Sequence, residues 1–236
     1  MALRLGTTAT VIGSELDDEP RPADHIDLVD RLVAQIPAES FGGDLALLAF
    51  ALPDSRPYLT AVTHLNRLTG GRAHSLAVTG QGLGSPFTAL RIAMSYERSG
   101  RTSKSVVAIL ESATPDVSDR PDRVKSDSGV LLTFDTTAGH RRVEEIFTLN
   151  RAEAPRFAGL VSDTGRLLVV TGPTADPAIT PDDRVHVHRA SEGSYCTSVW
   201  LALASNRERW EADYDVIALF DTDPHTGVSH GAILRR

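Results

Sequence analysis

The chain has 236 residues, of which 41% are hydrophobic and 23% are charged, a composition typical of a soluble globular protein with a substantial core. Its net charge of −7 argues against nucleic acid and anionic membranes as general partners. One cysteine excludes an internal disulfide framework and suits a reducing compartment. The N-terminus lacks a signal-peptide pattern and no run is long enough to span a bilayer, so we expect a cytoplasmic protein.

Strand and helix signals alternate through the first half of the chain. After a strand at 8–13, an acidic loop ends at Asp24, which is suited to cap a helix whose apolar stripe contains Ile26, Val29, Leu32 and Val33. The apolar run at 44–52 predicts a strand buried on both faces. The other predicted elements are a helix in 56–71, a strand at 74–80, a helix from about residue 84, strands at 105–112 and 129–135, and a surface loop at 114–127.

The second half repeats this alternation in a shorter form. Strands are predicted at 141–149, 165–172, 184–190, 214–221 and 229–236, with a loop at 174–183 and an apolar helix at 194–210. Residues 74–135 and 184–235 share an order of strand, small-residue loop, apolar helix and two strands, with VVAILE matching VIALFD. Chance alternation within an α/β protein is the competing interpretation. The repeat predicts two halves, 1–137 and 138–236, in one compact unit.

Four stretches, taken in order, carry a resemblance to a known family. They are the loop and helix GQGLGSPFTALRIA, the strand DDRVHVHRAS, the loop and helix SEGSYCTSVWLALA, and the closing strands YDVIALFDTDPHTGVSHGAILRR. Together they resemble the thiolase superfamily, specifically its β-ketoacyl-acyl-carrier-protein synthase III (ketosynthase III) branch. Matching the Ala89-Leu90 pair puts Leu83 at the position of the nucleophilic cysteine. His188 falls on the catalytic histidine of a His-Gln-Ala-Asn motif, and Gly193 falls where the catalytic asparagine would be.

The resemblance implies a layered α/β fold in which two pseudo-repeated mixed sheets pack on buried central helices. It also implies a dimer, homomeric or with a full-length homologue, paired through the strand at 74–79, and an acyl carrier protein or acyl-CoA as partner. Family members are considerably longer, and here His188 is followed almost at once by the next helix loop. We therefore expect a trimmed second half in which the intervening helix and strand are deleted.

The family chemistry requires a thiolate at a helix N-terminus, with histidine and asparagine as hydrogen-bond donors to the developing charge. Leu83 has no nucleophilic or acid–base group, and Gly193 offers no side chain. We therefore expect no covalent acyl transfer by the family route. The residues expected to line the former acyl pocket are Gln81, Leu83, Ser85, Phe87, Gly193, Ser194 and Cys196.

Four of these residues raise sharper alternatives. Gln81 could present its amide to an acyl carbonyl, although it lies two positions before the nucleophile site. Cys196 begins the second apolar helix, where a helix end would activate its thiol, but a lone buried cysteine is more often inert packing. Ser85, like Ser194, lacks the G-x-S-x-G context of a serine nucleophile.

Metal and cofactor sites have weaker signals. His186 and His188 share one strand face, and a later loop holds Asp221, Asp223, His225 and His230, yet no spacing is diagnostic of zinc. The glycines of GQGLGS do not match a dinucleotide loop. We expect neither a metal nor a cofactor.

Two functions remain open from the sequence. The first is a non-catalytic ketosynthase III-like protein that binds or shapes a site for an acyl thioester as the partner of another enzyme of specialised metabolism. The second is a cysteine-independent acyltransferase or thioester hydrolase with His188 as general base.

Overall fold

The computed structural model describes residues 2–13, 23–41, 43–54, 60–113, 124–150, 153, 157–161 and 165–236. The strands are β1 (Arg4–Ile12), β2 (Leu45–Phe50), β3 (His74–Val78), β4 (Lys104–Glu111), β5 (Ser128–Asp135), β6 (Arg141–Leu149), β7 (Leu167–Thr171), β8 (Val185–Arg189), β9 (Val216–Thr222) and β10 (Ser229–Arg235). The helices are α1 (His25–Ala34), α2 (Ala61–Leu68), α3 (Gly84–Arg98), α4 (Phe157–Val161) and α5 (Ser198–Asp213). Most of the predicted loop at 114–127 lies outside the described residues.

Local sequence explains how several elements begin. Asp24 caps α1 as predicted, in a capping box in which its side chain accepts from the N–H of Asp27 and the Asp27 side chain accepts from the N–H of Asp24. The run predicted as a doubly buried strand forms β2, which pairs in parallel with both β3 and β4. The short helix α4 has no counterpart among the predicted elements.

The ten strands form a sheet in the order β3-β2-β4-β5-β1-β6-β10-β9-β7-β8. Read outward from the centre, each half has the same order, because β1, β5, β4, β2 and β3 correspond to β6, β10, β9, β7 and β8. Only two residue pairs join β1 to β6. The internal repeat is therefore present in the strand order as well as in the sequence.

The core has three layers of buried side chains. The helices α3 and α5 each contact strands of both halves, so they lie between them. A second cluster lies between α1, α2 and the outer face of the first half, and a third lies around α4 on the second half. The centre of the molecule is thus the interface of α3 and α5, where Phe87 packs against Trp200 with ring centroids 5.0 Å apart.

The second half is trimmed differently from our expectation. All five strands are present, so the predicted deletion of a strand is wrong. Residues 172–184, between β7 and β8, contain no helix, whereas α2 fills the equivalent connection of the first half. Within the described residues, no helix is both long and apolar enough to cross a membrane.

Candidate functional site

Leu83 lies at the start of α3, the place that the resemblance gives to the nucleophile. It is the N-cap residue, it is buried, and its side chain forms no cap hydrogen bond. Gly82 before it has a φ of +51°, a left-handed conformation that favours glycine. The turn therefore delivers an apolar side chain to a helix N-terminus between the two halves.

The first N–H groups of α3 are satisfied within the chain. Gly84 N–H donates to the carbonyl of Gln81 at 2.8 Å, and Ser85 N–H donates to the carbonyl of Gly82 at 3.2 Å. Pro86 has no N–H to offer. A helix N-terminus normally presents its N–H groups to an anion or oxyanion. The N-terminus of α3 therefore has few N–H groups available for a ligand.

Asp223 closes the same end of α3. Burial alone would raise the pKa of this carboxyl, but hydrogen bonds from the Tyr195 hydroxyl and from the N–H groups of Thr226, His225 and Leu83 outweigh burial and lower it. The Tyr195 hydroxyl donates to Oδ2 at 2.8 Å. Because a β-carbon at Gly82 would lie 2.5 Å from that oxygen, the carboxylate rests directly against the turn. An ionised Asp223 therefore lies against the turn that begins α3 and accepts the N–H of its N-cap residue Leu83.

The N-terminus of α5 is closed by Glu111, the last residue of β4. Its carboxylate, which is fully buried, accepts the N–H groups of Tyr195, Cys196 and Thr197, and Thr197 Oγ1 donates to Oε2 at 2.6 Å. Burial raises the pKa of Glu111, and these hydrogen bonds oppose the shift. The carboxylate thus accepts the backbone donors of the turn that leads into α5, up to its N-cap residue Thr197.

Asp221 is the repeat mate of Glu111, since VVAILE matches VIALFD. It is buried and accepts from Ser198 Oγ at 2.9 Å and from Thr222 N–H at 2.8 Å. Burial, reinforced by the charges of Glu111 and Asp223, raises its pKa to about 7. A β-carbon at Gly172 would collide with this carboxyl, so a side chain cannot replace the glycine without a shift.

Cys196 lies inside this group of carboxylates and is buried. Burial and the neighbouring charge of Glu111 raise the pKa of its thiol well above the usual value. A nucleophilic thiol requires the opposite shift. The position therefore agrees with inert packing rather than with the displaced nucleophile.

The remaining α3 candidates differ in exposure. Gln81 is exposed, and its Oε1 accepts from Thr88 Oγ1 at 2.6 Å. Ser85 is fully buried, and its Oγ has no hydrogen-bond partner in the described part of the chain. Phe87 packs against Trp200 and stacks on His230, with ring centroids 5.8 Å apart. Leu83, Ser85 and Phe87 thus come together, while Gln81 lies at the surface beside them.

The loop before α5 holds the other two candidates. Gly193 has a φ of +109°, and its carbonyl accepts from Lys125 N–H at 2.9 Å. Gly193 and Ser194 are partly exposed. This glycine has a conformational role in the turn, and it supplies no donor where the resemblance expects an amide.

His188 lies away from the helix N-termini. Its ring packs edge-on against Trp210 at 5.0 Å. Trp210 is near the C-terminal end of α5, about 18 Å along the helix axis from Ser198 at 1.5 Å per residue. Burial and the charge of Arg209 lower the pKa of His188. The structure therefore does not bring His188 together with Leu83.

The strand order explains this correction. In the resemblance, the catalytic histidine follows a strand that precedes a helix, a further strand and the asparagine loop. Because β8 leads directly to the loop before α5, the histidine strand corresponds to β7. That strand ends at Thr171 beside Gly172, and His188 lies on the neighbouring strand β8.

The histidines and acids proposed as zinc ligands do not converge. His186 Nδ1 lies 2.7 Å from the Tyr214 hydroxyl, so it has an aromatic partner of its own. Within the described residues, no group of three or more His, Cys, Asp or Glu side chains is arranged to hold a metal ion.

The sequence patterns do not predict that Glu111, Tyr195 and Asp223 close the site, and they indicate Asp223 only as a possible zinc ligand. A signal existed for Glu111, because the aligned repeats end their apolar strands in an acid at the same position. A carboxylate there must be matched by buried donors. Nothing in the sequence marks the Tyr195 to Asp223 hydrogen bond.

Two mixed half-sheets with the same strand order, packed on the two central helices α3 and α5, define a thiolase-like fold of the ketosynthase III type. No family model and no curated protein matches the chain. Solved structures do match. The acyltransferase ChlB3 has a TM-score of 0.74 at 13% identity, with 100% of this chain and 98% of that chain covered. The tetronic acid condensing enzyme AbyA1 has a TM-score of 0.74 at 11% identity, with 98% and 99% covered. The 3-oxoacyl-[acyl-carrier-protein] synthase III from Aquifex aeolicus has a TM-score of 0.68 at 11% identity, with 99% and 100% covered. At these identities the likeness shows the fold alone.

Proposed function

We propose that this protein is a non-catalytic ketosynthase III-like protein of specialised metabolism. In this proposal it binds, or helps to shape a site for, an acyl thioester carried by an acyl carrier protein or CoA, as the partner of another biosynthetic enzyme. One observation carries the proposal: the backbone donors at the start of α3 and in the turn that leads into α5 are bonded within the chain itself. The neighbours' names, which include condensing and acyl-transferring enzymes, give the substrate class.

The proposal follows from what the closed ends cannot supply. A covalent acyl step needs a nucleophile and backbone donors for the carbonyl oxygen. Leu83 supplies no nucleophile, and the donors around it already have the carbonyl oxygens of the turn and Asp223 as acceptors. Opening either helix end would leave a buried carboxylate without partners, which is costly.

The test separates binding from turnover. The full-length protein is mixed with a panel of acyl-CoA and acyl-carrier thioesters, and binding is measured by calorimetry, thiol release by absorbance and adducts by intact mass. We expect saturable binding with neither release nor adduct. Turnover by the wild type that is lost in His188→Ala would establish the alternative enzyme instead. Absence of binding to every thioester would contradict the proposal.

Pairing with another chain is part of the proposal, and β3 is the candidate surface. It is an edge strand of five residues, with His74 and Ala77 exposed. An uncharged edge strand tends to pair with another strand. We expect a homodimer or a heterodimer by light scattering, and a shift to monomer in Ala77→Lys. A monomeric wild type that also fails to co-purify with a co-expressed ketosynthase would contradict it.

A further inference from the structure

Arg91 and His230 converge on one hydroxyl group at the flank of α3. Arg91 Nη2 donates to Thr148 Oγ1 at 3.1 Å, and the same oxygen lies 3.3 Å from His230 Nδ1. Thr148 and His230 are register partners on the antiparallel strands β6 and β10. The sheet therefore fixes the position of the histidine relative to the arginine.

The imidazole of His230 is also held by packing. It stacks on Phe87, and a β-carbon at Gly84 would lie 2.9 Å from its Cε1. With Nδ1 at Thr148, the other nitrogen, Nε2, has no hydrogen-bond partner among the described residues. The ring is only partly buried, so this nitrogen is a pre-positioned group for a ligand.

Around Thr148 the polar groups are mainly hydrogen-bond donors. Arg91 is exposed and forms no ion pair within the described part of the chain. Two potential cations, Arg91 and His230, thus contact one hydroxyl, although the chain as a whole has a net charge of −7.

The carboxylate of Asp223 acts on His230, but it forms no ion pair with Arg91 within the described residues. Burial lowers the pKa of His230, Asp223 raises it, and Arg91 lowers it by repulsion. An anion bound between Arg91 and His230 would remove that repulsion and accept from both. Phosphate suits the group because its oxygens point in several directions and Arg can bind two of them.

We propose that Arg91, Thr148 and His230 form a phosphate-binding site, and that it holds the phosphate of a pantetheine-bearing thioester. The identity of the ligand rests on the proposed function, whereas the phosphate chemistry rests on this group alone. The site lies beside the closed end of α3 rather than at its N–H groups. Binding there therefore leaves the buried carboxylates undisturbed.

The experiment follows the imidazole of His230 directly. Full-length protein labelled in histidine is titrated with inorganic phosphate, and the His230 NMR signals are assigned with His230→Phe, which keeps a ring against Phe87. We expect a saturable shift and a higher pKa of His230 in phosphate. Arg91→Gln should weaken binding about tenfold through loss of a charged donor. The matched control Arg98→Gln, an exposed arginine in the last turn of α3, should not change it.

The outcomes separate this site from the proposed function. No saturable shift, or equal weakening in Arg98→Gln, would overturn the site. The site is supported if CoA and a holo-carrier protein bind more tightly than pantetheine and if Arg91→Gln removes this difference in affinity. The affinities of CoA and of the carrier protein then distinguish the two sources of phosphate. Inorganic phosphate that binds while no thioester does would keep the site and reject the function. Thioester binding that is unchanged in Arg91→Gln would keep the function and reject the site.

Discussion

The N-termini of α3 and α5 are equivalent positions of the repeat, but they are closed in different ways. The α5 end depends on one fully buried carboxylate, Glu111, which accepts three N–H groups and a hydroxyl. At the α3 end, turn carbonyls satisfy two N–H groups, Pro86 removes a third, and Asp223 accepts the N–H of Leu83.

The two carboxylates come from opposite halves. Glu111 belongs to the first half and closes the helix of the second, while Asp223 belongs to the second half and closes the helix of the first. Each helix end thus ties the halves together. The α5 end therefore stabilises the fold, because the carboxylate of Glu111 is wholly buried. At the α3 end the carboxylate is one contact among several, so it should be easier to reopen.

The largest expected effect comes from Glu111→Gln. The amide group would place N–H donors against Thr197 and its backbone N–H, so buried donors would lose their acceptor. We expect a loss of about 3 kcal/mol in the free energy of unfolding, and a thermal midpoint lower by roughly 6–12 °C. Glu208→Gln, at an exposed position of α5, should change the midpoint little. Equal effects of the two variants would show that the α5 end does not depend on Glu111.

The second effect concerns pH. Because the pKa of Asp221 is raised from 3.8 to about 7, the folded state binds a proton more tightly than the unfolded chain. Stability from this group is therefore greatest at low pH and falls as pH rises from about 4 to 7. Asp221→Asn removes this dependence of stability on pH. The free energy of unfolding of the variant, relative to that of the wild type, should therefore increase as pH rises from about 4 to 7.

Urea unfolding at several pH values between 5 and 8 measures the slope. Asp183→Asn, at an exposed position in the loop before β8, is the control and should parallel the wild type. A constant difference between Asp221→Asn and the wild type would show that Asp221 does not titrate in this window.

Much of the fold follows from the sequence because its signals are local. The capping box at Asp24, the apolar run of β2 and the repeated helices can be read from patterning and turn residues. The site cannot be read so directly. A short motif predicts the role of His188, but only the tertiary structure shows that its ring packs against Trp210, far along α5 from Ser198. The contact of Tyr195 with Asp223 spans 28 residues and needs the tertiary fold.

The smallest expected effect tests whether the α3 end is closed by Asp223 or merely lacks a cysteine. In Leu83→Cys, a neighbouring carboxylate disfavours the thiolate and raises the thiol pKa. We therefore expect slow labelling by iodoacetamide at neutral pH and no acyl adduct with acyl-CoA, measured by intact mass. Cys196 is buried and should stay unlabelled as an internal control.

Adding Asp223→Asn to Leu83→Cys removes the charge while keeping a side chain of similar size, so labelling should rise about tenfold, the equivalent of one pKa unit in thiolate fraction. Asp213→Asn in the same background, at an exposed residue ending α5, should not raise it. Fast labelling of Leu83→Cys alone would mean that the lost thiol was the whole difference from an active site. Labelling that depends on Asp223 would mean that the chain has also rebuilt the helix end around its own carboxylate.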